Sequence, residues 1–309
     1  MKNTILFGDC RDTLPTIDVK ARMCVTSPPY YGLRNYGGEQ DQIGQEDTPE
    51  QFIENLVDVF RSVRDVLTDD GTLWVNIGDS YYNYRPGKGQ ALVKQTVSKT
   101  ERDQPQTCAR RANKLEGLKE KDLIGIPWML AFALRADGWY LRQDIIWHKP
   151  NPMPESVKDR CTKSHEYLFL LSKNKKYYYD NEAIKEPVKQ DWGTRDRTGG
   201  KYHNPGTGLQ PHSGLSKSYE RKNKRDVWTI TNKPYKGAHF AVFPPDLIEP
   251  CILAGSEQGD IVLDPFMGSG TTGMVAKKNF RSYIGCELHE DYASLQTDRI
   301  DSIPPQLVL

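Results

Sequence analysis

The stretch that decides the fold reads IVLDPFMGSGTTGMVAKKNFRSYIGCE and covers residues 261–287. Its apolar start predicts a strand over 261–264, a glycine-rich turn follows, 271–278 has the spacing of a helix, and 282–287 predicts a second strand. A helical crossover this short joins parallel strands, so the stretch predicts a βαβ unit. The fold class is therefore α/β with a parallel sheet.

The rest of the chain continues the alternation of strands and helices. Pro49 follows Thr48 as in a capped helix start, and the apolar spacing then runs to about Leu67, where Asp-Asp-Gly at 69–71 predicts a turn. The remaining predicted elements are strands at 4–7, 23–26, 72–77, 140–147 and 166–172 and helices at 126–136 and 245–254.

Composition restricts the class of protein. The chain has 309 residues, of which 37% are hydrophobic and 27% charged, and its apolar runs fall far short of the ~20 residues that span a bilayer. Asp9 comes too early for a secretory signal. The six cysteines form no C-x-x-C pair and no zinc-like cluster with histidine. We therefore expect a cytoplasmic protein with reduced thiols, no metal site and no membrane segment.

The formal net charge of +1 conceals a strong asymmetry. Residues 85–235 carry 30 Lys and Arg against 17 Asp and Glu, whereas the rest of the chain carries 12 against 24. A basic middle between acidic ends is typical of a protein that binds a polyanion, although a solvated lysine-rich surface gives the same count.

The glycine-rich turn has the form of a nucleotide-cofactor site. Gly268, Gly270 and Gly273 spell G-x-G-x-x-G ahead of a helix start, and Glu287 ends the next strand, where a carboxylate binds ribose hydroxyls. The Gly-Lys-Ser/Thr of a phosphate-binding P-loop is missing. A nicotinamide-dependent oxidoreductase stays as a distant alternative. Asp264 disfavours it, because a carboxylate ahead of the glycines repels a pyrophosphate and suits the positive amino group of S-adenosylmethionine.

A second motif, Ser27-Pro28-Pro29-Tyr30, follows a predicted strand near the N-terminus. The prolines fix the backbone, so the Ser27 hydroxyl and the Pro28 carbonyl are rigid acceptors for the two N–H groups of an exocyclic amine. Tyr30 offers a flat face for stacking a base. A plain proline-rich turn and an exposed PPxY peptide ligand are the alternative interpretations.

Together the two motifs resemble those of the amino-methylating DNA methyltransferases, and their order along the chain resembles the beta group. The resemblance implies a doubly wound, mostly parallel seven-stranded sheet with loop-rich DNA-recognition insertions. It implies S-adenosyl-L-methionine as cofactor and duplex DNA as partner, with direct attack by a flipped-out base. Ser27 favours cytosine N4 over adenine N6. A cytosine-C5 enzyme would need a nucleophilic cysteine, and Cys251 after Pro250 lies within a predicted apolar helix instead.

The resemblance also assigns roles to residues. It implies a catalytic set of Ser27, Pro28, Pro29 and Tyr30. It implies a cofactor-binding set of Asp9, Phe243, Asp264, Phe266, Gly268, Ser269, Gly270, Thr271, Thr272 and Glu287. Asp264 is expected beside the methionine amino group, Gly268 to Thr272 around its carboxylate, Glu287 on the ribose and Asp9 on the adenine. The segment 147–152 resembles a loop near the target base. In the basic middle we expect DNA contacts from Arg195, Arg197, Arg221, Lys222, Lys224 and Arg225.

The predicted domain organisation follows the motifs. We expect the catalytic half of the methyltransferase domain at 1–84, a basic insertion loop at 85–122, and the domain continued at 123–180. The target-recognition region follows at 181–235 and the cofactor-binding half at 236–309. The sequence leaves open a homodimer and a cognate restriction endonuclease as further partners.

Overall fold

The computed structural model describes residues 1–32, 42–82, 115–188, 220–232 and 243–304. The helices are α1 Cys10–Thr13, α2 Pro49–Val66, α3 Ile126–Ala136, α4 Pro245–Gly255, α5 Thr271–Lys278 and α6 Ala293–Asp301. The strands are β1 Thr4–Phe7, β2 Ala21–Thr26, β3 Leu67–Ile77, β4 Tyr140–His148, β5 His165–Ser172, β6 Glu186–Pro187, β7 Arg221–Lys222, β8 Val227–Thr229, β9 Ile261–Asp264 and β10 Ser282–Glu287. Within these ranges no helix combines the length and the apolar character needed to cross a membrane.

The main sheet has the strand order β1-β10-β9-β2-β3-β5-β4-β8. Only β5 runs antiparallel to its neighbours among these described strands. The predicted α/β class with a mostly parallel sheet is thus confirmed. The sheet has eight strands rather than the seven expected, because the three residues of β8 extend the edge beside β4. The short strands β6 and β7 form a separate antiparallel pair.

Helices cover both faces of the sheet, as in a doubly wound fold. Side chains of a strand alternate between the faces, so Cys24 packs in one apolar cluster while its neighbours Met23 and Val25 pack in the other. The first cluster contains the buried stripe of α2 and residues of α3, and the second contains residues of α4, α5 and α6. Both faces are therefore sealed by apolar packing, which the near-continuous hydrophobic strands require.

The end of α2 and the start of β3 differ from the sequence prediction. The helix ends at Val66, and β3 begins at once, so that the expected turn at 69–71 lies inside the strand. The reason is tertiary pairing: Leu67 pairs with Ala21 of β2, and the Gly71 carbonyl accepts from the Lys173 amide at 3.1 Å. These partners outweigh the local turn preference of Asp and Gly.

The predicted target-recognition region is more closely packed than expected where the structure describes it. The sequence predicts loops without core packing over 181–225, yet Ile184 is buried. Further along the region Trp228 is also buried, at 5% exposure, and its indole donates to the Arg225 carbonyl at 2.6 Å. These side chains belong to the second apolar cluster, because β8 adds to the sheet beside β4. The segment 189–219 lies outside the described residues.

One edge of the sheet gathers the strand ends that carry the motifs. The parallel strands β1, β2, β3, β4, β9 and β10 all end at this edge, and the antiparallel β5 begins there. In open α/β sheets this carboxyl edge is where ligands bind. The fold therefore brings residues from both ends of the chain to the same place.

Candidate active site

A cavity of about 690 Å³ opens at the carboxyl edge of the sheet. One wall is formed by the whole Ser27-Pro28-Pro29-Tyr30 motif, which follows β2. Another part is formed by the loop after β9, and Glu287 lines the cavity as well. Because β2 and β9 are adjacent parallel strands, with Cys24 beside Leu263, the two motifs necessarily share this edge. Both sequence motifs therefore face one space.

Asp264 connects the two motifs from beneath the cavity. Its buried carboxylate accepts from Thr26 Oγ1 at 2.6 Å, from Thr272 Oγ1 at 2.6 Å and from the Phe266 amide at 3.0 Å. Burial raises the pKa of Asp264 to about 6, although these hydrogen bonds oppose the rise. Of the residues predicted to bind cofactor, Asp264, Gly270 and Thr272 are buried and do not line the cavity. In the structure the Asp264 carboxylate anchors the loop to β2.

The glycine loop places the start of α5 beside the cavity. Gly268 and Gly270 have φ of +54° and +79°, a region that side-chain-bearing residues avoid. Gln296 of α6 donates to the Gly268 carbonyl at 2.6 Å and so fixes the turn. Ser269 and Thr271 line the cavity where the first amides of a helix lack intrahelical partners. This end of the cavity is therefore suited to an anionic group.

Two carboxylates stand farther along the same side of the cavity. Phe7 pairs with Glu287 across β1 and β10, so Asp9 and Glu287 share the edge. Glu287 accepts from the Gly268 amide at 2.7 Å and the His289 amide at 3.1 Å, and burial raises its pKa to about 7. Burial also raises the pKa of Asp9, but the hydrogen bonds and charge of Arg11 outweigh this and lower it overall.

Three polar side chains that the sequence analysis did not single out form a cluster at Tyr30. The Tyr30 hydroxyl donates to Glu166 Oε2 at 2.7 Å, and Glu166 Oε1 forms an ion pair with Lys149. Asn76, at the end of β3, donates to the Tyr167 carbonyl at 3.1 Å and lies within 3.5 Å of the Tyr30 hydroxyl. Asn76, Lys149 and Glu166 all line the cavity. Lys149 follows Trp147 in the segment that was expected near the target base.

Gly78 is a second residue of the site that the sequence analysis did not identify. A Cβ on this residue would come within 2.7 Å of the Tyr30 ring, so the absence of a side chain leaves room for the tyrosine. The sequence carried a weak signal, a glycine at the tip of a predicted strand. The sequence carried no such signal for Glu166, which is the second residue of β5 and is 136 positions from Tyr30.

Comparison with known proteins settles the family. The sequence model of the DNA methylase family matches residues 21–298, nearly the whole chain. The chain belongs to the DNA methylase family. The methylase is 49% identical over 297 residues to the type II methyltransferase M.SmaI of Serratia marcescens, with 96% of this chain and 90% of the relative covered. It is 47% identical to M.Cfr9I of Citrobacter freundii, covering 96% and 87%.

Solved structures share the fold of the methylase. The PvuII DNA methyltransferase, named as cytosine-N4-specific, superposes with a TM-score of 0.61 at 17% identity, covering 97% of this chain and 86% of that one. M1.HpyAVI in complex with SAM superposes with a TM-score of 0.54 at 18% identity, covering 96% and 98%. The family model and the relatives confirm the amino-methylating family expected from the motifs, and the oxidoreductase alternative is set aside.

S-adenosyl-L-methionine is the cofactor of the methylase, and the cavity fits it. Its volume and its helix start with Ser269 and Thr271 suit a nucleoside joined to an amino acid. His289 also lines this side, and its buried Nε2 finds no hydrogen-bond partner among the residues that the structure describes. Phe243 and Phe266 add apolar surface. The donor set therefore matches the polar and apolar parts of the cofactor.

The predicted DNA-contacting residues lie partly on the short β6–β7 pair. Lys222 and Arg225 both form ion pairs with Glu186, at 3.3 and 2.6 Å. Arg221 donates to the Lys185 carbonyl at 2.8 Å, and the Lys224 ammonium lies 4.8 Å from the centre of the Trp228 ring. Arg195 and Arg197 lie outside the described residues, as do 85–114 of the predicted insertion loop.

Proposed function

We propose that the methylase acts on the exocyclic N4 of cytosine at a specific site in duplex DNA. The observation that supports the proposal is the cavity that Ser27-Pro28-Pro29-Tyr30, the glycine loop and Glu287 line together. Serine in the first motif position favours cytosine N4 within the family. Adenine N6 is the alternative, because serine and aspartate both accept a hydrogen bond from an amino group.

In the proposed reaction, the residues of the motif orient the amino nitrogen. The Ser27 hydroxyl and the Pro28 carbonyl accept hydrogen bonds from its two N–H groups. This leaves the nitrogen lone pair directed into the cavity. Bound S-adenosyl-L-methionine supplies an electrophilic methyl group. No protein nucleophile is needed, and Cys251 is fully buried in α4, where burial raises the pKa of its thiol. The chain thus contributes position and electrostatics.

The target base must leave the double helix to enter the cavity. A base inside a duplex cannot reach a recessed sheet edge, and flipping it out costs a few kcal/mol. Stacking on the half-buried Tyr30 ring offsets part of this cost, since a base on an aromatic ring is worth ~1–3 kcal/mol. The fixed position of Tyr30 above Gly78 supports this role.

The cofactor contacts follow from the residues along the other side. We assign Glu287 to the ribose hydroxyls, Asp9 to the adenine and the Gly268 to Thr271 turn to the methionine carboxylate. Asp264 and Thr272 act through their hydrogen bond, since both are buried below the cavity. Their role is to hold the turn in the shape that binds the carboxylate.

The basic residues after 220 are proposed to contact DNA phosphates. They are exposed or half-exposed, and from Arg225 the chain runs through β8 to Asn232, which lines the cavity. A DNA phosphate can replace Glu186 as the ionic partner of Lys222 and Arg225, because surface ion pairs contribute little stability. The naming of the relatives as type II methyltransferases supports a cognate restriction endonuclease with the same site.

Nucleoside mass analysis of DNA treated with the methylase and cofactor tests the proposal. We expect N4-methylcytosine from the wild type and its formation at least about a hundredfold more slowly from Ser27→Ala, with the methylated site mapped by sequencing. N6-methyladenine would favour the alternative. Unmodified DNA in the presence of a protein that binds S-adenosyl-L-methionine would contradict the proposed activity.

A further inference from the structure

We propose that the Lys149–Glu166 ion pair is a positioning device that fixes the location of the Tyr30 ring for the incoming base. This inference rests on the proposed function, because it deepens the role of the target-base side of the cavity. It arises from one juxtaposition: a lysine after β4 and a glutamate at the start of β5 meet the tyrosine of the catalytic motif.

The sheet brings the pair together. Trp147 pairs with Glu166 across the antiparallel β4 and β5, and Lys149 follows two residues later. The ammonium of Lys149 lies 4.1 Å from the centre of the Trp147 ring, and its polar partner among the described residues is Glu166. Each side chain of the ion pair is only 16% exposed.

Stability is a poor explanation for this ion pair. Removing two charges from water costs several kcal/mol, and a well-packed apolar pair is often as stable or more stable. Lys149 and Glu166 nevertheless line the cavity, and the carboxylate uses both oxygens. An ion pair at this position is better explained by a positioning role, because Glu166 also accepts a hydrogen bond from the Tyr30 hydroxyl.

The hydroxyl of Tyr30 is fixed from two sides. Glu166 Oε2 accepts from it at 2.7 Å, and Asn76 Oδ1 lies 3.5 Å away. Asn76 Nδ2 is also 3.4 Å from Glu166 Oε2, so the same two groups contact each other. A rotation about the Cα–Cβ bond would swing the ring away and break the bond to the carboxylate, while Gly78 leaves the space that the ring occupies. Lys149 in turn keeps the carboxylate from rotating.

The test is a double-mutant cycle on Tyr30→Phe and Glu166→Gln, with Lys149→Met as a third variant. Asp159→Asn is the matched control, because it removes a carboxylate from an exposed ion pair with Lys121. Each variant is assayed for kcat and KM on a duplex with the mapped site. The second readout is fluorescence of 2-aminopurine at the target position without cofactor, and thermal unfolding monitors the fold.

We expect each of Tyr30→Phe, Glu166→Gln and Lys149→Met to lower kcat by about tenfold, since each removes one charge-assisted bond of the same chain. The Tyr30→Phe/Glu166→Gln double variant should also lose about tenfold, because the second change removes a bond that is already broken. The 2-aminopurine signal should fall in parallel, KM for the cofactor should stay within twofold, and Asp159→Asn should match the wild type.

Independent losses that multiply to about a hundredfold would overturn the inference, and so would a Tyr30→Phe variant within twofold of the wild type. Tyr30→Phe removes one oxygen and no charge, so it decides the question even if Glu166→Gln fails to fold. A wild type that methylates no DNA is a different result, which would remove the proposed function and this inference with it.

Discussion

The two sides of the cavity are built differently. The side that we propose for the cofactor comes from consecutive segments, β9, its glycine loop, α5 and β10, together with the end of β1. The buried carboxylate of Asp264 on this cofactor side accepts from three donors. The side that we propose for the target base is assembled from the ends of β2, β3 and β4 and the beginning of β5. On this target-base side, contacts link Tyr30, Asn76, Lys149 and Glu166 in a chain.

This difference between the two sides predicts how each side responds to a substitution. A saturated buried network either keeps all its bonds or leaves a charged group unpaired, so changes there affect folding as well as binding. A chain of contacts on a cavity wall can lose one bond and still fold, with an effect on geometry. We therefore expect variants of the cofactor side to change stability and variants of the target-base side to change turnover.

Ser27→Ala should give the largest separation of turnover from binding. Loss of one of two acceptors on the amino nitrogen should lower kcat about 10²- to 10³-fold, the effect seen when one preorganised partner of a reacting group is removed. Affinity for S-adenosyl-L-methionine, measured by calorimetry, should stay within about twofold, because the contacts assigned to cofactor lie elsewhere. Ser62→Ala, on exposed α2 surface, is the control. An equal loss of cofactor affinity would contradict the division into two sides.

Asp264→Ala should show the opposite pattern. It leaves Thr26 Oγ1, Thr272 Oγ1 and the Phe266 amide without their acceptor, so we expect a loss of about 2–4 kcal/mol in the free energy of unfolding. Cofactor affinity should fall by more than about tenfold, because the loop loses its anchor. Urea unfolding and calorimetry measure the two effects. Unchanged cofactor affinity would show that the loop does not depend on this carboxylate.

Gly78→Ala sharpens the comparison with a single methyl group. The added Cβ would stand 2.7 Å from the Tyr30 ring and would tilt it, while the backbone at Gly78 has no positive φ to be strained. We expect kcat to drop by about tenfold, with the free energy of unfolding changed by ~1–2 kcal/mol, typical of mild overpacking. Steady-state kinetics and urea unfolding measure the two effects. A kcat near that of the wild type would mean that the orientation of the Tyr30 ring does not affect turnover.

The smallest effect is a pH dependence of cofactor binding. Burial raises the pKa of Glu287 to about 7, so the ionised carboxylate, the better acceptor for ribose hydroxyls, is depleted as the pH falls below 7. Affinity for S-adenosyl-L-methionine should therefore decrease several-fold from pH 8 to pH 6. Glu287→Gln, which cannot titrate, should bind weakly and equally at both. A pH-independent wild type would contradict the ribose assignment.

The same carboxylate affects the stability of the ligand-free protein. Its folded pKa is raised, so between its ordinary value of 4.5 and about 7 the folded state holds more protons than the unfolded state. The contribution of Glu287 to stability is therefore greatest at low pH and is lost as the pH rises through this window.

Most elements near the cofactor were predictable because their signals are local. The β9, α5 and β10 boundaries match the prediction, since apolar runs, glycines and a helix start are read within 27 residues. The β2 motif was predictable for the same reason. The turn at 69–71 was predicted wrongly, because strand partners more than 40 positions away decided its conformation.

The sequence by itself determined which chemistry the chain can do: a rigid pair of acceptors, a stacking ring, a glycine turn and a carboxylate at the next strand end are local patterns of residue type. Only the tertiary structure decided that Glu166 and Lys149 hold Tyr30, that Gly78 makes room for it, and that Asp264 faces Thr26 below the cavity. These contacts depend on which strands are neighbours and on their direction. Strand order is set by packing of the whole sheet, which no short stretch of sequence encodes.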